Sequence, residues 1–600
     1  MSALTMQQML LLAITAIALV LIVSNWLRPD LVALMTLLAL GLTSILPAEQ
    51  ALAGFSRPAV LTIVGLFVIT DALERVGVVQ WLADQLALLG GTTEVRLIAV
   101  FMSAGALLSL VMNNIAAGAV LLPAAVNVAH RARIAPSKLL IPLSFGTLVG
   151  GMATLFTTAN IILSGNLQTQ GQRGLTMLDF LPAGGAMVVV GLLYMLTIGR
   201  RLLPNRETVG RAALGGTDLS ETYQLAERLW EVKVHPESPL VHRRLGESVI
   251  GATLGATVLA IWHGREARIA PSPIETIDAN DILLVLGRED RVRQLEDQGM
   301  TIGRNGANHH ALRGLPVLLS EVVIGPRAPA IGQTVKALRF RSNYGLTVVA
   351  LWREGRSYRT DVGDFVLEAG DALLMVGPRQ KAQALAQEPG FIVLDQPLAT
   401  PRSLDRKAAA AVAITITVIG LSAAGIVPTA EAMLAGAAGL VLTRCLTMEE
   451  AYRAIEWRVV VLIAGLLPIG TALVATGLAE QIGRLFTGAL AGSGPLALIG
   501  GLWLFTAVVT QLVGGQVAAL IIGPIAVSAA VHLGVNPQAV AVAVAMACSA
   551  AFLTPIAHPV NVLMMGPGGY DFGDFFRVGL GLLAACFVTL LVVMPLFWSF

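Results

Sequence analysis

Two adjacent carboxamides, Asn113 and Asn114, stand in an otherwise apolar stretch, Val111-Met112-Asn113-Asn114-Ile115-Ala116-Ala117-Gly118, which is followed by Pro123. In a bilayer interior an unpaired amide is costly, so such side chains face a cavity, an ion or another helix. Roughly four hundred residues later the stretch has an echo, Val513-Gly514-Gly515-Gln516-Val517-Ala518-Ala519, which leads to Pro524. Asn160 follows Gly150-Gly151 and Thr157-Thr158, and Asn561 follows Ala557-His558-Pro559, so a second pair of amides repeats as well. Amide, hydroxyl and backbone oxygens suit a hard cation, and half-helix N-termini suit an anion. That is binding chemistry. No nucleophile–base constellation accompanies it. Cys445, Cys548 and Cys586 are dispersed, and His235, His242, His309 and His310 lack metal-ligand spacing, so no transition-metal site is expected.

Each of these residues also has a plainer reading. Membrane asparagines glue helices together. Asn160 and Asn561 could cap a broken helix, and the threonines could bond back to their own helix carbonyls. His558, opposite Thr157 in the repeat, could contact an anion, couple protons near neutral pH, or pack as a neutral ring. Asp71 and Glu74 read as interfacial.

The elements that must position these residues are membrane helices. Over 600 residues, 55% hydrophobic and 13% charged, with a mean hydropathy of +0.75, the chain reads as a polytopic membrane protein with soluble mass attached. A net charge of +2 gives a nucleic-acid partner no support. Apolar runs at 7–26, 29–46 and 58–72 are each about long enough to cross, and Met6 to Trp26 reads as a first membrane helix rather than a removable signal. An amphipathic piece at 73–95 precedes two shorter arms, 97–112 and 115–129, which flank Asn113-Asn114 as a re-entrant hairpin. Runs at 138–164, interrupted by Gly150-Gly151 and Thr157-Thr158, and at 179–199 complete five crossings and one hairpin.

Between Arg200 and Arg406 the apolar runs shorten to strand length, and the segment is internally duplicated. Glu231-Val232 recurs as Glu321-Val322, Gly255 as Gly345, Ala260-Ile261-Trp262 as Ala350-Leu351-Trp352, and Asp281 with Gly287 as Asp371 with Gly377, all ninety residues apart. From Lys407 the membrane pattern returns. Gly65 matches Gly465, Ala72-Leu73 matches Ala472-Leu473, and after a one-residue slip Asn160 matches Asn561. The expected domains are a first membrane repeat (1–200), a linker with a first soluble unit (201–312), a second soluble unit with a linker (313–406), and a second membrane repeat (407–600). With the insert cytoplasmic, most loop arginines and lysines, Arg402 among them, fall on its side. Both termini are then external. An odd number of crossings per repeat makes the halves inverted copies around a midplane site.

The membrane halves resemble the divalent anion:sodium symporter family, through Asn113-Asn114-Ile115, Gly150-Gly151-Met152-Ala153-Thr154 and Thr157-Thr158-Ala159-Asn160. The match continues in Thr554-Pro555-Ile556-Ala557-His558-Pro559-Val560-Asn561 and in the sequel Gly569-Tyr570-Asp571-Phe572-Gly573-Asp574. The insert is similar to paired TrkA-C (RCK-C) regulatory domains, a pairing typical of the family's sulfate-permease-like branch. The sequence departs from the family at the second tip, which has no asparagine, and at Ile115, where the family has threonine.

The resemblance implies sodium-coupled import of a divalent anion across a bacterial-type inner membrane, sulfate first and a dicarboxylate second, by alternating access in a homodimer. Asn113, Asn114, Thr157, Thr158, Gly515, Gln516, His558 and Pro559 are the substrate candidates. Asn114, Gly150, Gly151, Gly514 and Ala557 are the sodium candidates, with the first site preferred over the second, and Asn160 and Asn561 support the broken helices. Gly150 and Gly151 are expected to let unwound backbone approach closely. The soluble pair, with no Gly-x-Gly-x-x-Gly, would regulate transport through a small ligand, a nucleotide among the candidates, or serve a structural role. A ligand-gated channel, a non-transporting anion sensor and proton-coupled transport remain as alternatives.

Overall fold

The computed structural model describes residues 4–599 apart from 25, 90, 207–228, 265, 305–316, 327, 354–355, 359–361, 386–387, 389, 395–404 and 490–493. His309, His310 and Arg402 therefore lie outside the described residues.

In the first membrane half the main helices are α1 (Met6–Val23), α2 (Pro29–Leu42), α3 (Pro58–Arg75), α4 (Val78–Leu89), α5 (Glu94–Leu108), α6 (Asn114–Arg131), α7 (Leu140–Met152), α8 (Thr158–Thr169) and α9 (Met177–Tyr194). In the second half they are α10 (Arg406–Ala423), α11 (Thr429–Leu442), α12 (Trp457–Ala475), α13 (Leu478–Ala489), α14 (Pro495–Val513), α15 (Gly515–Leu533), α16 (Pro537–Ser549), α17 (Pro559–Gly568) and α18 (Phe572–Phe597). Among the described residues, eight helical stretches are long and apolar enough to cross a membrane, or nine if a bent pair counts as one span. The chain is thus a helical, multi-pass membrane protein.

Two expectations change here. The run at 29–46 yields α2 of only 14 residues, about 21 Å of helix against a hydrocarbon core of about 30 Å. Thr43 and Ser44 end it, and Ser44 takes a left-handed φ of 56°. Helix α7 continues through Gly150 and Gly151 and breaks only at Ala153. Gly146 and Gly150 do permit a close approach, but it is helix against helix. A Cβ at either would collide with backbone of α5, at Met102 and Ala106 respectively.

The two halves exchange partners. Helix α2 packs on α12, and α11 packs on α3. A Cβ on Gly65 of α3 would lie 2.7 Å from the Met433 carbonyl carbon, and one on Gly465 of α12 would lie 2.9 Å from that of Ala33. Met433 and Ala33 are themselves four hundred residues apart. One crossing of small residue on backbone is therefore built twice, with donor and acceptor halves swapped.

Two antiparallel sheets occupy the middle of the chain. The first contains β1 (Leu229–Val234), β2 (Thr257–His263), β3 (Glu266–Ile269), β4 (Ile282–Leu286) and β5 (Met300–Arg304), in the order β3-β2-β4-β1-β5. The second contains β6 (Val317–Ile324), β7 (Thr347–Arg353), β8 (Arg356–Tyr358), β9 (Ala372–Pro378) and β10 (Phe391–Val393), in the order β8-β7-β9-β6-β10 when read from the equivalent edge. The order is the same, and the register slips at the same place, between Val258 and Ala260 and between Val348 and Ala350. Asp281 and Asp371 each accept a backbone N–H three residues upstream, from Asp278 and Glu368. Asp281 also meets His263 at 2.8 Å, and Asp371 meets Arg353 at 2.6 Å. Each unit has its own apolar core, and a third cluster, including Leu259, Leu284, Val349 and Leu374, joins the two sheets. The second unit also rests on the membrane part. Asn127 of α6 donates to the Leu394 carbonyl at 3.2 Å, and Gly370 meets Gly566 of α17 backbone to backbone.

Leucine at position 65 or 465 must push two helix backbones apart. Each of Gly65→Leu and Gly465→Leu should cost about 1–3 kcal/mol and lower the unfolding midpoint of the detergent-solubilised protein. Gly185→Leu, at a position with open space around it, should leave the midpoint unchanged.

Candidate functional site

A helix that stops inside an apolar core leaves carbonyls and N–H groups to be paired some other way. The break between α7 and α8 is closed by Asn160, which is fully buried. Its Nδ2 donates to the Gly151 carbonyl at 3.0 Å and to the Thr154 carbonyl at 2.5 Å. Thr154 Oγ1 donates to the Leu110 carbonyl at 3.0 Å, which fastens the break to the tip of the hairpin α5–α6.

That tip runs from Ser109 to Asn113. Asn113 caps α6, its side-chain oxygen accepting from the Ala116 N–H at 3.0 Å. Asn114, buried at the first position of α6, accepts from Ser109 Oγ at 2.9 Å. The structure brings Asn114, Gly151 and Thr157 together. A Cβ on Gly151 would fall 3.0 Å from Asn114 Oδ1 and 2.9 Å from Thr157 Cγ2. Two oxygens in this group, Thr157 Oγ1 and Asn160 Oδ1, are buried with no hydrogen-bond partner among the described residues. Unpaired buried oxygens are uncommon and point to an ion or a water. Gly150 stands apart from the group, against α5. Thr158 opens α8 and is half-buried.

The second break, between α16 and α17, repeats the arrangement. Asn561 Nδ2 donates to the carbonyls of Ala551 at 2.7 Å and Thr554 at 3.3 Å, while its Oδ1 accepts from Ser144 Oγ of α7 at 2.5 Å. Thr554 Oγ1 donates to the Gln511 carbonyl at 3.1 Å, the counterpart of the Thr154–Leu110 bond. Gln511, not singled out from the sequence, holds this break. Its Nε2 donates to the Ala550 carbonyl at 2.8 Å and its Oε1 accepts from the Leu553 N–H at 3.0 Å, so this one amide replaces two lost helix bonds. A polar side chain five positions before Gln516 in an apolar run was the available signal.

Gly514 is the only residue between α14 and α15, with φ at +80°, a conformation that favours glycine. Gly515 abuts the Cys548 carbonyl so closely that no side chain fits there. The Gly514 Cβ position lies 3.6 Å from the Ala557 carbonyl oxygen. Gln516 is half-buried, and no hydrogen bond of its side chain occurs among the described residues. His558 caps α17, with Nδ1 accepting from the Val560 N–H at 3.2 Å, and Pro559 is the first helical residue after it. In this cap Nδ1 acts as an acceptor, the role of an unprotonated ring nitrogen.

Each hairpin is locked to the opposite half. Helix α6 packs on α17 and α15 packs on α8, where Asn166 Nδ2 donates to the Ala519 carbonyl at 3.3 Å. Among the described residues no hydrogen bond joins Asn113 or Asn114 directly to Gln516 or His558. What the two tips share is electrostatic. Helices α6, α8, α15 and α17 all begin at a tip or a break, and neither tips nor breaks contain lysine or arginine. Four helix N-termini can supply partial positive charge to an anion, and α6, α8 and α15 free N–H groups as well. Helix α17 begins with Pro559, and its next two N–H groups are taken by His558. The orphaned oxygens offer a cation its ligands.

Comparison with known proteins agrees with this binding chemistry. A family model described as a citrate transporter matches residues 19–547. A protein of Escherichia coli named as an uncharacterized transporter is 30% identical over 604 residues, covering 98% of this chain and 99% of its own length. A Synechocystis protein, likewise named as an uncharacterized transporter, is 33% identical over 579 residues, covering 95% and 94%. A Chlamydomonas reinhardtii protein named as a probable sodium/sulfate cotransporter is 21% identical over 786 residues, covering 94% and 85%.

Removing either closing amide leaves two buried carbonyls unpaired. Asn160→Ala and Asn561→Ala should each destabilise the protein by about 2 kcal/mol or more, read as a lower unfolding midpoint in detergent. Asn114→Ala, which strands only the rotatable Ser109 hydroxyl, should shift the midpoint less than half as far.

Proposed function

We propose, for a chain that belongs to the citrate transporter family, that it imports a divalent oxyanion together with sodium by alternating access. As a member of that family the chain is a transporter of small anions and not an enzyme. Sulfate is the first substrate, supported by the relative named as a sodium/sulfate cotransporter. A dicarboxylate is the second, supported by a Staphylococcus saprophyticus relative named as a sodium-dependent dicarboxylate transporter, 26% identical over 145 residues.

The observation that carries the sodium reading is the pair of orphaned oxygens, Thr157 Oγ1 and Asn160 Oδ1, beside the Asn114 amide. A bound sodium ion would satisfy them, and its charge would raise anion affinity at the adjoining helix N-termini. The second tip offers Gly514, Gln516 and the Ala557 carbonyl, a poorer set of side-chain oxygens, so the first tip is the principal cation site. Proton coupling through His558 is disfavoured by its cap, since protonating Nδ1 would sacrifice the bond to Val560.

The exchanged packing of α2 on α12 and α11 on α3 supports a reading of the halves as inverted repeats, with the first hairpin entering from the side of the insert and the second from the opposite side. Each hairpin turns where it meets a helix break, in keeping with arms that stop inside the membrane even though α14 and α15, at 19 residues each, are long enough to cross. The domain boundaries near 200, 312 and 406 belong to the same reading. So do a cytoplasmic pair of TrkA-C-like units acting as a ligand-controlled regulator, external termini, a bacterial inner-membrane location and a homodimer.

Radiolabelled sulfate or succinate uptake into proteoliposomes tests the proposal. An inward sodium gradient should accelerate uptake of at least one, and Thr157→Val or Asn114→Ala should raise the half-saturating sodium concentration about tenfold or more. Absence of gradient-dependent uptake of either anion overturns the reading.

A further inference from the structure

A cleft of about 460 Å³ separates the two soluble units, lined by Leu245–Gly246, Ile250–Gly251 and Gly255–Val258 from the first and by Val335–Lys336, Arg339–Ser342 and Leu346–Val349 from the second. Because the units repeat every ninety residues, the walls are equivalent segments facing each other, and their differences are informative. Where the first wall has Gly246 and Gly251, the second has the equivalent Lys336 and Arg341, and Arg339 lines the second wall as well. Arg288 and Arg291 add to the positive lining, and Asp364 is the only carboxylate among the lining residues. Arg288 is held by Asp290 at 3.1 Å.

Arg341 is the telling member. Its Nε donates to Thr347 Oγ1 at 3.1 Å and its Nη2 to the Val258 carbonyl of the other unit at 2.6 Å, so it ties the two walls together. Burial pulls its pKa down to about 10, which leaves it charged at neutral pH. No carboxylate pairs with it among the described residues. A partly buried guanidinium with neutral acceptors alone is poorly compensated, and an anion in the cleft would supply the missing charge. The apolar lining, Leu245, Ile250, Val258, Leu346 and Val348, and a volume within the range of small-molecule sites leave space for an organic group beside the anion.

We propose that this cleft binds a phosphate-type oxyanion group through Arg341, Lys336 and Arg339, presented by a nucleotide or by the free ion. This names the ligand class and the residues of the regulatory insert and rests on that reading of it. Binding is measured without transport, so its failure is separable from failure of the transport proposal.

Calorimetric titration of the full chain in detergent, with inorganic phosphate and AMP as separate probes, tests the site. AMP binding at least tenfold tighter than phosphate assigns the nucleotide, and equal affinities assign the free ion. In either case Lys336→Gln/Arg339→Gln, both at exposed positions, should weaken binding about tenfold, and Arg341→Met should weaken it further. The proposal is overturned if neither probe binds at millimolar concentration, or if binding is unchanged in both variants.

Discussion

The constraint on which the rest of this structure depends is the pairing of backbone groups where helices stop inside an apolar interior. Water is excluded there, so the carbonyls freed at a break need partners from the protein itself. Asn160, Asn561 and Gln511 provide them, each reaching back across a break to two backbone groups. Once the breaks are held open, four helix N-termini point into the interior and two oxygens of the first break are left over. The amides thus leave helix N-termini and two unpaired oxygens in the interior without one charged side chain at the tips.

A second constraint fixes how the halves meet. The glycines at 65 and 465 bring helices within contact of backbone, and they do so reciprocally. Each hairpin leans on the broken helix of the other half, so a displacement of one tip loads the opposite half. The two sheet units are joined to this frame where β10 approaches α6 and where Gly370 meets α17. These are the helices whose N-termini begin at the first tip and the second break. A change in how the two sheets sit on each other therefore has a short mechanical path to the site.

Much of this was legible in the sequence because duplication leaves a record. The ninety-residue repeat corresponds to two sheets of the same strand order with the bulge at the same residue, and the pairing of Gly65 with Gly465 marks equivalent helix crossings. What could not be read was the partner of each residue when it lay hundreds of positions away. Nothing near Gly65 announces Met433. Gly150 and Gly151 looked like a point of unwinding, but the α5 backbone fills the space beside Gly150, and helical hydrogen bonding survives to Met152. The role of Gln511 is not legible from the echo Gly514-Gly515-Gln516, because it depends on a break about forty residues downstream. The short α2 was overestimated because Thr43 and Ser44 interrupt little in hydropathy yet end the helix through their backbone.

The central claim is that two tips of unequal chemistry approach one site from opposite sides of the membrane. It is tested most directly by placing Asn113→Cys or Gln516→Cys in a chain whose Cys445, Cys548 and Cys586 are replaced by alanine. Each is then labelled with a membrane-impermeant maleimide in vesicles of defined orientation. The account predicts that position 113 is modified from the side carrying the soluble units and position 516 from the other side. Modification of both positions from one side alone would contradict it.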